Sequence, residues 1–165
     1  KKAKGYDKER REDLNITDLI VDIGYKYLQQ GKYKEAEEEV RSAVKDDKTN
    51  YGAYMLLGLL NIINKNTKEA EKNILKGIET DKEKPQGYVL MGRLKLTQDK
   101  KKEAEQWFAD AIQTAKDNKE KSNICIDIAK EIRDLMRSSN ELNIETIKEI
   151  KRWLKKYAEE LEEKE

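Results

Sequence analysis

Histidine is absent from this chain, and cysteine occurs once, at Cys125. Without histidine the Cys/His zinc sets are excluded, as is every nucleophile that depends on an imidazole base. One cysteine allows no intrachain disulfide, so a reduced cytosol and a disulfide-free extracytoplasmic setting read alike, and the localisation stays open. Net charge is also missing: 35 basic residues stand against 34 acidic ones, so no global field favours nucleic acid or an anionic membrane surface. A membrane span is lacking as well. The uncharged run "TNYGAYMLLGLLNIIN" at 49–64 falls short of the roughly 20 apolar residues a crossing helix needs, and Gly52, Gly58, Asn61 and Asn64 dilute it.

What is present points to helices. The chain has 165 residues, one proline, one phenylalanine and much Lys and Glu; 42% of residues are charged and 36% hydrophobic. That is one domain's worth of sequence with a modest core. The opening "KKAKGYDKERRED" has neither an initiator Met nor an apolar signal segment, so a mature form or an excised piece is expected.

No constellation for catalysis, cofactor or metal binding emerges. Cys125 lies on the apolar side of its helix and reads as a small hydrophobe. The clusters "EAEEEV" and "EELEEKE" place consecutive glutamates on diverging helix directions, without a loop's oxygen cage. "GKY" at 31–33 lacks both the leading glycine and the hydroxyl of a phosphate-cradling loop. A non-enzyme is expected.

Internal periodicity decides the fold class. "KEAE" occurs at 34–37, 68–71 and 102–105. The same spacing aligns Gly24, Gly58 and Gly92; Ile23, Leu57 and Met91; and Ile20, Tyr54 and Tyr88. Downstream it aligns Ala36, Ala70 and Ala104; Val40, Ile74 and Phe108; Ala43, Gly77 and Ala111; and Val44, Ile78 and Ile112. Three units follow, 17–50, 51–84 and 85–118. Each predicts two short amphipathic helices, the first ending near Gln30, Lys65 or Asp99 and the second starting at the "KEAE" copy. The small-residue columns let the two helices approach closely. One unit cannot bury its own apolar face, so the three must stack.

A 34-residue unit with this succession of large apolar, Gly, Ala and large apolar positions resembles the tetratricopeptide repeat. "IVDIGYKYLQQGKYKEAEEEVRSAV", with Tyr27 and Tyr33, matches most fully. Asn61 and Lys95 replace the aromatic of Tyr27, and Lys48, Lys82 and Lys116 stand where the family often has proline. The resemblance implies an all-α, right-handed helix-turn-helix solenoid of three units, followed by two further helices.

Around the repeats, 1–16 is a charged lead-in, expected as a frayed helix or disordered segment, with Asn15 or Thr17 as a helix cap rather than a glycosylation site. Residues 119–139 place Ile124, Ile128, Ile132 and Leu135 on one face, as a capping helix over the last repeat. In 140–165, Asn143 is placed to cap a final helix with the stripe Ile144, Ile147, Ile150, Leu154, Tyr157 and Leu161, ending acidic.

Function is then expected on the inner wall. In the middle unit Tyr54, Leu57, Gly58 and Asn61 fall within about 100° of one another and face the partner helix, leaving Gly52, Met55, Leu56, Leu59, Ile62 and Ile63 opposite. The same columns add Asp18, Val21, Asp22, Tyr25, Leu28 and Gln29, and Gln86, Val89, Leu90, Arg93, Leu96 and Thr97. Val21, Tyr25, Leu28, Met55, Leu59, Ile62, Ile63, Val89, Arg93 and Leu96 are the expected partner-binding residues, forming an apolar groove for an amphipathic helical or extended segment of another protein. Family members that grip chaperone C-termini use Lys, Asn and Arg on this wall. Here the matching columns hold Val21, Tyr25, Leu56, Gln86 and Leu90, so no such carboxylate clamp is expected. Arg93, Asp18 and Asp22 would set orientation. The alternative is self-association, with the groove filled by the chain's own final helix or by a neighbouring copy. RNA binding would need a basic inner wall with stacking groups, which Arg93 alone does not supply. The Lys, Asn and Ile bias suits an AT-rich bacterial genome and a scaffold role in a larger assembly.

Overall fold

The computed structural model describes residues 3–138 and 144–162, with side chains from Ile16 onward except at scattered positions near the C-terminus. All regular structure among them is helical. The chain divides into two compact units, Lys1–Asp81 and Lys82–Glu165.

The first unit holds α1 (Ala3–Gln29), α2 (Tyr33–Asp46), α3 (Tyr51–Ile63) and α4 (Thr67–Thr80). α1 pairs with α2 and α3 with α4, and α3 also packs on α1 and α2. α1 runs through Asn15 and Thr17 without a break, so the cap expected at either residue is not found. α3 does start at a cap: Asn50 Oδ1 accepts from the backbone N–H of Ala53 at 2.9 Å, satisfying one of the helix's orphan donors. The apolar core here joins Val21, Ala36, Val40 and Ala43 to Ala53, Leu56, Leu57 and Leu60.

The second unit holds α5 (Pro85–Thr97), α6 (Lys101–Gln113), α7 (Asn118–Ser138) and α8 (Ile144–Glu162). Pro85 sits in the first turn of α5, where its missing N–H costs nothing. α7 packs on both α5 and α6, and Ile124, Ile128, Ile132 and Leu135 enter the same cluster as Val89, Leu96 and Phe108. Ile150 and Leu154 of α8 join that cluster, and Trp153 lies 6.4 Å from Phe108, centroid to centroid. Asn143 and the acidic end at 163–165 lie outside the described residues, as do the side chains of Ile147, Tyr157 and Leu161.

The turns within the three repeat hairpins share one geometry. Gly31, Lys65 and Asp99, spaced by the repeat, have φ of 73°, 59° and 57°. The following N–H groups of Lys32, Asn66 and Lys100 reach back to the carbonyls of Tyr27, Asn61 and Lys95 at 2.9, 2.8 and 2.9 Å. This six-to-one bond closes each first helix and turns the chain into the second. Close approach explains the glycine column: a Cβ at Gly58 would strike Ile74, and one at Gly92 would strike the Phe108 ring. At Gly24 the occupant is Leu56 of the next hairpin rather than Val40. The backbone carbonyls of Lys48 and Lys82 accept the hydroxyls of Tyr54 and Tyr88 at 2.9 Å, a bond that a proline carbonyl would serve equally.

Candidate binding surface

The ten expected groove residues separate into two groups. Val21, Met55, Ile62, Val89 and Leu96 are buried, with Met55 wholly inaccessible. Tyr25, Leu28, Leu59, Ile63 and Arg93 are half-buried. The first group does not line an open wall, and the reason is helical phase. An arc wide enough to hold all ten spans two directions, one toward the inner surface and one toward the next helix in the stack. Val21 lies in one cluster with Leu56, Leu57 and Leu60 of α3, and Val89 and Leu96 lie in one cluster with the α7 isoleucines. Met55 meets α4, its methyl group filling the space a Cβ on Gly77 would need.

The surface left open in the first unit is narrower and more polar than a continuous apolar groove. α1 contributes exposed Asp18, Asp22 and Gln29 with half-buried Tyr25. α3 contributes Gly52, Leu59 and Ile63, in the same helical phase and all half-buried. Asn50 joins the two helices, its Nδ2 donating to Asp18 Oδ1 at 3.0 Å. The side chain that caps α3 therefore also fixes one of the two carboxylates. Leu59 and Ile63 are four residues apart, one above the other on α3.

In the second unit the matching columns carry Gln86, Arg93 and Thr97. Arg93 Nη1 donates to Glu131 Oε2 of α7 at 2.6 Å, with both side chains largely shielded, so this guanidinium is committed to holding α7 on α5. α8 packs on α7, and Lys101 of α6 pairs with its Glu149. The final helix thus goes to α6 and α7. Leu56 and Leu90, which occupy two of the columns a carboxylate clamp would use, are buried.

Burial pushes the Cys125 thiol above its ordinary range, which disfavours the thiolate a nucleophile needs. Among the described residues no group of His, Cys, Asp and Glu is placed to hold a metal ion, and no helix is long and apolar enough to cross a membrane. The contacts that sequence reasoning missed, Asn50 to Asp18 and Arg93 to Glu131, join residues 32 and 38 positions apart. Neither follows the repeat spacing that gave the columns.

A sequence profile for the tetratricopeptide repeat matches residues 51–84, the middle hairpin. This is the tetratricopeptide-repeat fold. Solved tetratricopeptide structures superpose on most of the chain at low identity. The first such domain of Spaghetti (RPAP3), bound to the HSP90 peptide SRMEEVD, is 20% identical over 71% of this chain and 93% of its own, with a TM-score of 0.57. The Arabidopsis OM64 domain is 18% identical over 72% and 98%, with a TM-score of 0.59. The Yersinia enterocolitica type III secretion chaperone SycD, in complex with a peptide of the translocator YopD, is 15% identical over 74% and 93%, with a TM-score of 0.62. No curated protein sequence matches the chain. At these identities the likeness concerns the tetratricopeptide fold alone.

Proposed function

We propose that the chain is a non-catalytic protein-binding module that receives a helical or extended segment of a partner on the α1–α3 face of its first unit. The observation that carries this reading is the open face itself. Leu59 and Ile63 offer two adjacent apolar seats on α3, and exposed Asp18 and Asp22 of α1 add negative charge toward the N-terminal end of α3, where Asn50 meets Asp18. A segment with two apolar anchors about one helical turn apart, and a basic residue about one to two turns away toward the α3 N-terminus, fits this face. The helices beneath are already packed, so binding orders the partner and not the receptor. Two of the solved relatives, the Spaghetti domain and SycD, hold peptides, which supports a peptide-receiving role. No carboxylate clamp is part of the proposal, since Leu56 and Leu90 occupy two of its columns. The Lys, Asn and Ile bias supports a bacterial source.

Leu59→Glu combined with Ile63→Glu tests this reading in a pull-down from the source cells. The double variant should lose the partner while keeping its helical circular dichroism. Retention of the partner by a folded double variant would place the interface elsewhere.

Self-association is the second reading, and a specific observation favours it. Ile16 and Leu19 of α1 are 55% and 58% exposed, whereas Ala53, which aligns with Leu19 one repeat on, is inaccessible beneath the first hairpin. α1 therefore presents an apolar end face that a second copy could cover. Light scattering over a concentration series separates the two readings: a mass that stays monomeric throughout rules self-association out.

A further inference from the structure

The second helices of the first unit form a cleft on which the proposed binding face makes no demand. It has a volume of about 450 Å³ and lies between α2 and α4, with the start of α3 as its floor. Arg41, Lys45, Lys48, Lys72 and Lys76 line it, and Glu69 is the one carboxylate among the lining residues. Arg41 is already neutralised, its Nη2 and Nε donating to Glu37 Oε1 at 2.6 and 2.9 Å. The four lysines are exposed and make no ion pair among the described residues. Set against Glu69, they leave an excess of three positive charges on one cleft of a chain whose net charge is +1. A second depression of about 440 Å³ shares Lys48, Tyr54 and Lys76 with the first and adds the carboxylate Glu79, so the basic excess is confined to the first cleft.

The repeat supplies an internal control for whether the fold demands these lysines. One repeat further on, the positions of Arg41, Lys45, Lys72 and Lys76 are taken by Leu75, Glu79, Gln106 and Asp110. The second-unit depression around Tyr88 is the repeat counterpart of the depression of about 440 Å³ around Tyr54, and there Asp110 replaces Lys76, leaving Lys82 and Lys116 balanced against Glu83 and Asp110. The same backbone therefore accepts neutral or acidic residues at these columns. Like charges one turn apart, as at Lys72 and Lys76, oppose helix stability instead of aiding it.

We propose that the α2–α4 cleft is a second docking site, for an acidic segment of a partner polypeptide, separate from the α1–α3 face. Carboxylates spaced along an extended or helical segment would pair with the four lysines. A nucleic acid is the poorer fit. Tyr54, the aromatic ring in the cleft, is 6% exposed with its hydroxyl bonded to the Lys48 carbonyl, so no open ring is available for base stacking. The cations are also gathered in one cleft and form no track along the chain.

The test uses the full chain and a fluorescein-labelled peptide of about eight glutamates, followed by anisotropy at about 50 mM and 300 mM salt. Binding is expected at the lower salt and weaker at the higher. Lys72→Glu with Lys76→Glu should weaken it by about tenfold or more, while Lys82→Glu with Lys116→Glu in the second unit should change it by less than about twofold. Lys45→Gln with Lys48→Gln, which introduces no repulsion, should give an intermediate loss and serves if the charge reversal disturbs folding. Absence of binding at low salt overturns the proposal. So does equal weakening by the second-unit variant, which would mean diffuse charge attraction, or displacement of the peptide by a lower concentration of a single-stranded oligonucleotide of equal charge. Leu59→Glu with Ile63→Glu should leave peptide binding unchanged, so the two docking sites stand or fall separately.

Discussion

Replacing Gly31 with alanine isolates the backbone term of the hairpin turn. Gly31 has φ of 73°, and a Cβ built there meets nothing within 4 Å, so no clash enters the result. The left-handed region costs an L-residue about 1–2 kcal/mol, and alanine regains about 0.5–1 kcal/mol by narrowing the unfolded ensemble. The net expectation is a loss of about 0.75 kcal/mol, and at most about 1.5 kcal/mol. Asp99 occupies the matching position of the third repeat at φ 57°. Asp99→Gly should change stability little, since Asp tolerates this region better than most side chains and the rest of glycine's gain is offset by the freedom it gives the unfolded chain. Urea unfolding followed by circular dichroism measures both. With a slope of about 2 kcal/mol per molar, Gly31→Ala lowers the midpoint by about 0.4 M, and at most about 0.8 M, at unchanged slope. A Gly31→Ala variant more stable than the natural chain would refute the claim that the left-handed backbone of the turn sets this energy.

Further outcomes follow from packing, capping and titration. Gly92→Ala drives a Cβ into the Phe108 ring and should cost about 1–3 kcal/mol, whereas Gly52→Ala meets only ordinary contacts at 3.4 and 3.5 Å and should gain about 0.5–1 kcal/mol from helix propensity, both read as thermal midpoints. Asn50→Ala removes the α3 cap and the tie to Asp18, with an expected loss of about 1–2 kcal/mol in urea. Burial holds the proton on the Cys125 thiol past its ordinary value of 9.0. Its contribution to stability is thus intact at neutral pH and lost as pH rises through the folded value. Above about pH 9 the natural chain should lose stability more steeply than Cys125→Ala, measured as the difference between their urea midpoints.

The helical repeats were legible because their period is written three times over. Spacing alone pairs Gly24, Gly58 and Gly92 with the "KEAE" copies, and the hairpin turns fall where those columns put them. The binding face was legible only in part. Helical phase distinguishes the side of α3 that meets α4 from the rest, but it does not divide the remainder between the inner wall and the next helix. Met55 and Leu59 differ in that division by a small rotation, and one is inaccessible while the other is half-buried. The same limit hid the fate of Arg93, whose partner Glu131 sits on a helix outside the repeat columns. The lysine cleft needed two helices side by side before residues 41–48 and 72–76 became one surface. Asn61 shows a cost that the columns did foreshadow. It stands where Tyr27 would put a ring, and its buried Nδ2 makes no hydrogen bond among the described residues.

The three-residue turns at 30–32, 64–66 and 98–100 also bear on how the chain is made. A helical hairpin closed by so short a turn brings its halves together on the microsecond scale, whereas a ribosome adds about 5–20 residues per second. One 34-residue repeat therefore takes about 2–7 seconds to synthesise, far longer than it needs to close. Each hairpin can close and reopen many times before its successor emerges, and it is held closed only when α3 arrives to cover Val21 and Val40, since one unit cannot bury its own apolar face.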